Sequence, residues 1–231
     1  MLRLYFHTSP NPMKVVLFLE ETRLPYELVP VDTFKGEQHR PEYRKINPNG
    51  RVPAIELNGT RVFDSTAILL HLAQQHGQLL GAERHRAELL SWLMFIATGI
   101  APMGGQLVHF TRVKPDESPY AANRYRRETQ RLYGILDERL ATAPYLAGDE
   151  YTIADVSAWG WIRISDFVLG EGELAKFPAL SSWFARVDAR PAAARARELA
   201  SRASFKREFD EETMRAMYPQ NYPLLPAASS A

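Results

Sequence analysis

The chain has 231 residues, 45% hydrophobic and 24% charged, with a formal net charge of +1. That balance fits a globular protein of one large or two smaller domains and gives no electrostatic footprint for nucleic acid. No run of about 18 apolar residues offers a membrane span. The lack of any cysteine excludes disulfides, a protein thiol nucleophile and cysteine-type zinc sites.

Leu2–His7 is a short, mostly apolar strand that runs into the turn cluster Thr8-Ser9-Pro10-Asn11-Pro12. A secretory leader would need a longer apolar core and a small-residue cleavage site, so a cytoplasmic location is expected. Asn11-Pro12 reads as a helix start, with Asn as N-cap and Pro in the first turn, and Pro25 ends that helix. Tyr26–Val31 reads as a second strand, followed by a polar segment containing Gln38 and a short helix over Pro41–Ile46. Asn58-Gly59 between two β-type runs is a strong hairpin signal, which makes Val52–Leu57 and Thr60–Phe63 antiparallel partners. Pro53 sits at the mouth of the first of these, where its missing N–H does least harm. It also permits a cis bond, which would leave the N–H and C=O of Val52 free to pair outside the protein; a simple proline at a strand start is the alternative. Ser65 is the expected N-cap of a helix over Thr66–His76 that stops at Gly77.

The resulting order, β-α-β-α-β-β-α, is that of a thioredoxin-like domain over residues 1–77. Residues 78–83 read as a linker and 84–217 as an all-helical domain. Arg84–Val113 is one long helical pattern in which Pro102 and Gly104-Gly105 are expected to kink or interrupt the helix. Further helices start at Pro119, Thr152, Pro178 and Pro191, and residues 204–217 offer one more. Thr152 and Asp155 have capping-box spacing, with Tyr151 and Val156 as its hydrophobic staple. The end, 218–231, is rich in proline and small residues and reads as a poorly ordered tail. The histidines are scattered, and His71 and His76 do not share a helix face, so no metal is expected. Trp159 and Trp161 read as core residues, and His109 as a helix-face residue or a pocket lining.

Four motifs follow one another along the chain. They are Leu4-Tyr5-Phe6 with Ser9-Pro10-Asn11; Asn49-Gly50-Arg51-Val52-Pro53-Ala54; Asp64-Ser65; and Tyr145-Leu146-Ala147-Gly148-Asp149-Glu150-Tyr151-Thr152-Ile153-Ala154-Asp155. Together they resemble the cytosolic glutathione transferases over most of the chain. Ser9-Pro10-Asn11 and Gln38, with Pro119-Tyr120 and Arg124-Tyr125, look most like the bacterial nu class and the related yeast prion nitrogen regulator. The resemblance implies a homodimer with glutathione as cosubstrate; charge, hydropathy and histidine spacing lead to no expectation of nucleic acid, membrane or metal as a partner. It implies thiolate stabilisation by Asn11 and Ser9, though that class usually carries Thr at position 9. Tyr5 is a rival for that role, since some transferase classes use a tyrosine there. Val52 at the Pro53 corner would pair with the cysteinyl backbone, and Asp64 and Ser65 would hold the γ-glutamyl end. Gln38 and Arg51 would meet the glycyl end, and Arg124 would reach glutathione, across the dimer in one reading. Plain capping is the alternative for Asn11 and Ser65, and an ordinary surface charge for Arg51 and Arg124. The implied activity is disulfide or peroxide reduction by activated glutathione. Conjugation to electrophiles, or a catalytically silent glutathione-binding regulator, are the alternatives.

Overall fold

The computed structural model describes residues 1–222. Strands β1 (Leu2–Phe6), β2 (Tyr26–Pro30), β3 (Ala54–Leu57) and β4 (Thr60–Phe63) form one mixed sheet in the order β2-β1-β3-β4. β1 and β2 are parallel, joined through helix α1 (Pro10–Thr22), and the other two pairings are antiparallel. The short helix α2 (Pro41–Arg44) precedes the hairpin, and α3 (Ser65–His76) follows it. Among the described residues, the part after Gly81 is helical or irregular apart from one isolated bridge between Tyr145 and Gly148: α4 (Arg86–Phe95), α5 (Ala101–Val108), α6 (Pro119–Thr142), α7 (Ile153–Ile162), α8 (Ser165–Val168), α9 (Pro178–Asp188), α10 (Pro191–Arg202) and α11 (Glu211–Met217). This is a thioredoxin-like unit followed by a helical one.

The two units share one apolar core. Leu4, Phe6, Val15 and Phe18 from the sheet side join Leu93, Ile100, Trp159 and Trp183 from the helices in a single buried cluster. The key approach is α1 against α7. A Cβ at Gly160 would lie 2.5 Å from Lys14 Cγ and 2.8 Å from the Pro10 carbonyl oxygen, so only glycine lets these helices meet so closely. Charge pairs tie the far end of α1 to α10, where Arg190, its N-cap, forks onto Glu21 at 2.5 and 3.0 Å and Arg195 reaches Glu20 at 2.6 Å.

Several local expectations shift. Pro102 and Gly104-Gly105 do not break the long helical stretch. A π-helical turn over Ile96–Ile100 absorbs the missing proline donor, and a second covers His109–Val113. Glu83–Val113 is in fact long and apolar enough to cross a bilayer by length and composition, although here one face of it supplies Leu89, Leu93, Ile96, Ile100 and Leu107 to the core. The expected helix over 204–217 is confined to α11, and residues 203–210 run as an irregular strap. The capping box at Thr152 forms as expected. Asp155 accepts from the Thr152 and Leu146 backbones and from Trp183 Nε1, while burial pushes its carboxyl up to about 6. Of the proposed tail, Pro219–Asn221 forms a 3-10 turn and Tyr218 packs on His109; residues 223–231 lie outside the described residues.

Candidate functional site

The corner before β3 is held by short-range hydrogen bonds. Asn47 is buried, and its Nδ2 donates to the Arg51 carbonyl at 2.6 Å while its Oδ1 accepts from the Asn49 N–H at 2.9 Å. The Tyr43 hydroxyl donates to the same Arg51 carbonyl at 2.6 Å. Gly50 turns the chain with φ +62°, and the Val52–Pro53 bond that follows is cis. Neither the N–H nor the C=O of Val52 finds a hydrogen-bond partner among the described residues. The corner therefore presents one free backbone donor and one free backbone acceptor, which can pair with another peptide. Asn47 stands two residues before the Asn49–Ala54 motif, and its role as the internal brace is not among the sequence expectations. An Asx turn in front of Gly-Arg-Val-Pro was the available signal.

Beside this corner the cap of α3 is displaced by one residue from the expected Ser65. Asp64 is the N-cap: its Oδ1 accepts from the Thr66 and Ala67 N–H groups at 2.8 and 3.2 Å. It does so at φ +73°, a conformation costly for a side-chain-bearing residue. Ser65 thereby becomes the first helical residue, buried, at the positive end of the helix dipole. Relieved of capping, its hydroxyl and N–H are open to an anion.

The other end lies at the start of α1. That helix begins two residues earlier than expected, with Ser9 as N-cap and Pro10 in the first turn. Ser-Pro and Asn-Pro are equivalent start signals, and tertiary packing selects the first. The Ser9 side chain makes no capping bond, while its N–H donates to His7 Nδ1 at 3.2 Å. Asn11 is therefore not an N-cap. Its Oδ1 accepts a hydrogen bond of 3.0 Å from the indole N–H of Trp161 in α7. Arg163, just past α7, donates to the Thr8 carbonyl at 2.8 Å, so two side chains of the helical unit grip the Thr8–Asn11 loop. Next to this loop, a cavity of about 400 Å³ is lined by His7, Thr8, Phe34, Arg163 and Phe205 among others. His7 is stacked between Phe34 and Phe205, and burial holds its imidazole down to about 4.

Tyr5 is placed away from this loop. Its hydroxyl donates to Glu56 Oε2 at 3.3 Å, its ring packs edge-on against Tyr43, and burial raises its phenol pKa. Gln38 is buried with its Oε1 unpartnered and its Nε2 3.2 Å from His39 Nε2. The end of α11 passes over this part, with His39 Nε2 3.5 Å from the Met217 carbonyl oxygen and Tyr218 against His109. Arg51 is exposed, and Tyr218 feels its charge. The Arg124 side chain is 60% exposed and pairs with Glu128 on its own helix at 3.6 Å, so nothing among the described residues ties it to the other candidate residues. Trp159 is a core residue, its indole bonded to Asp188 at 2.9 Å. Lys14 went unremarked in the sequence. It is fully buried behind the α1 start, burial drawing its ammonium down to about 7 while the charge of Asp64 opposes that fall. A lone Lys inside Met13–Leu19 was the signal. No three His, Asp or Glu side chains converge as a metal site would need, among the described residues.

Comparison with known proteins identifies the family and the fold. Residues 4–80 match the glutathione S-transferase N-terminal domain and 100–191 the C-terminal domain. The chain is 43% identical over 204 residues to the disulfide-bond oxidoreductase YfcG of Escherichia coli K12, covering 85% of this chain and 94% of that one. Among solved structures, a glutathione transferase from Burkholderia graminis with two glutathione molecules per subunit is 35% identical, with a TM-score of 0.79 over 87% of this chain and 89% of that one. The URE2P6 transferase of Phanerochaete chrysosporium, in complex with oxidised glutathione, is also 35% identical, with a TM-score of 0.81 over 88% and 97%.

Proposed function

The chain belongs to the glutathione S-transferase family, and from that premise we propose that it reduces disulfides with two molecules of glutathione. Glutathione lies between the two ends of the site. Val52 pairs with its cysteinyl backbone next to Pro53, Ser65 and Asp64 take the γ-glutamyl carboxylate and ammonium, and Gln38 and Arg51 meet the glycyl carboxylate. The sulfur then falls at the start of α1, near Asn11 and Ser9. Pro10 and Pro12 carry no N–H, and the Ser9 and Met13 N–H groups are engaged, so the Asn11 backbone N–H and the positive helix end lower a thiol pKa there. Two donors aimed at sulfur add electrostatic stabilisation without covalent chemistry.

The single observation that carries the reading is the freedom of those donors. Ser9 is not spent on capping, and Asn11 has only its oxygen engaged. Tyr5 is not the activating hydroxyl, because it donates to Glu56.

The chain has no cysteine, so no protein mixed disulfide forms. The bound thiolate attacks one sulfur of the disulfide, forming a glutathione mixed disulfide and expelling a thiolate that takes up a proton. A second glutathione thiolate attacks the glutathionyl sulfur of that mixed disulfide, giving oxidised glutathione and releasing the other thiol. Peroxide reduction by the same thiolate is a further expected activity.

The protein acts as a cytoplasmic homodimer in this reading. Leu90 and Met94 support it: they lie one turn apart on α4 and are exposed. Arg124 then reaches the neighbouring protomer's glutathione. Light scattering should give twice the 26.3 kDa protomer mass.

The test of function is glutathione-dependent reduction of a small disulfide, coupled to glutathione reductase, beside conjugation to an aryl halide. Reduction should dominate. Dominant conjugation would make the protein an ordinary conjugating transferase. Glutathione binding without either activity would make it a silent binding protein.

A further inference from the structure

An asparagine carboxamide can sit in its place in two ways that exchange oxygen and nitrogen. Only one of them helps a thiolate: the NH2 group donates to sulfur, whereas the oxygen repels it. Something must choose, and in this fold the choice is made from the other unit. The indole N–H of Trp161 can only donate, so the Asn11 atom 3.0 Å from it is the oxygen. That leaves both N–H donors of Asn11 for the remaining direction.

The indole is itself held firmly. It is only 7% exposed, and it lies against two glycines of α5. A Cβ at Gly104 would come within 2.9 Å of Trp161 Cζ3, and one at Gly105 within 3.7 Å of Cη2. The Gly104-Gly105 pair thus makes room for the ring. Arg163, two residues on, fixes the Thr8 carbonyl of the same loop at 2.8 Å. Trp159, on the same helix, uses its N–H for Asp188 instead. Of these two tryptophans, only Trp161 reaches across to the α1 start.

We propose that Trp161 is a positioning residue, which locks the Asn11 carboxamide so that its N–H groups face the glutathione sulfur. The inference rests on the proposed thiolate role of Asn11. Donation into Oδ1 also polarises the amide and strengthens its N–H donors. Trp161 acts through Asn11 and does not touch the sulfur. Losing it frees the amide to rotate, and the ionising thiol must then orient its own donor.

The experiment uses the full chain with bound glutathione and follows thiolate absorbance against pH. Trp161→Phe keeps the ring and removes the N–H. It should raise the bound thiol's pKa by about half to one unit, the worth of one hydrogen bond. It should lower disulfide reductase kcat by about three- to tenfold over the same range. Affinity for glutathione below the thiol's pKa should be unchanged. Asn11→Asp keeps an acceptor for the indole but has no N–H to offer, and should raise the thiol pKa more than Asn11→Ala. In the Asn11→Ala background, Trp161→Phe should add nothing.

A wild-type thiol pKa in Trp161→Phe, with a raised one in Asn11→Ala, overturns the positioning role and leaves Asn11 in place. No shift in Asn11→Ala overturns the reading beneath it. Should Trp161→Phe fail to fold, the indole N–H resonance of the wild type serves instead. It should move with the ionisation of bound glutathione. A resonance indifferent to that ionisation overturns the proposal.

Discussion

The two ends of the candidate site are built by opposite means. The corner at Asn47–Pro53 and the cap at Asp64–Ser65 are braced by residues within a few positions of them, through the Asn47, Tyr43 and Asp64 hydrogen bonds. The Ser9–Asn11 end is braced from α7, about 150 residues away, through Trp161, Arg163 and the close approach at Gly160. One end is a local motif that the thioredoxin-like unit makes for itself. The other exists only once the helical unit has docked. In the proposed function the first holds the backbone and γ-glutamyl end, and the second activates the sulfur. Binding and activation are then separable by mutation.

The largest break in this comparison should come at Gly160. Its Cβ would meet the Pro10 carbonyl, which cannot step aside, so Gly160→Ala should destabilise the protein by about 3 kcal/mol, at the upper end of overpacking costs. For a chain of this size that is about 6–12 °C in Tm by calorimetry. A Tm within a degree of wild type would show that α1 and α7 are not tightly coupled.

Acidification tests the distant end in another way. Burial holds His7 down to about 4, so between about pH 6.5 and 4 the unfolded chain binds a proton that the folded one refuses. Its contribution is fully present above 6.5 and is lost as pH falls, by up to about 3 kcal/mol. Buried Asp155, raised to about 6, works in the opposite sense between about pH 4 and 6, so wild type alone would mix the two. The difference between wild type and His7→Asn isolates the histidine. Denaturant titrations should show that the variant loses less stability than wild type over this range. Parallel curves would mean that His7 titrates normally in the fold.

The local end should respond more mildly. Asn47→Ala removes the bond to Arg51 O and the anchor for the Asn49 N–H in a buried place, at about 2 kcal/mol. Glutathione affinity should fall with it, since the Val52 backbone is no longer fixed, while the pKa of whatever glutathione still binds stays put. A shifted thiol pKa in this variant would blur the division between the ends.

What could be read from the sequence follows the same division. The hairpin, the proline corner and the Asp64-Ser65 motif are local, and Asn-Gly, Val-Pro and Asp-Ser announce them directly. Even the error there was small: Asp and Ser are both good caps, and the chain places the first of them at φ +73°. Trp161 gave no such signal. A tryptophan in an apolar helix reads as core, and its bond to Asn11 depends on packing that no short window contains. Gly104-Gly105 misled in the same way, as a helix breaker on local grounds but as space for the Trp161 ring in three dimensions. Asn11-Pro12 reads as the start of α1, but Ser9 occupies the cap position.

The most direct test sets Ser65→Ala against Asn11→Ala, with glutathione affinity measured by calorimetry and bound-thiol pKa by thiolate absorbance on the same samples. Ser65→Ala should weaken binding and leave the thiol pKa of bound glutathione at its wild-type value. Asn11→Ala should bind glutathione at low pH as wild type does, with its thiol pKa raised. If both variants lose affinity with no change in thiol pKa, or both raise it alike, the site is not divided into a binding end and an activating end.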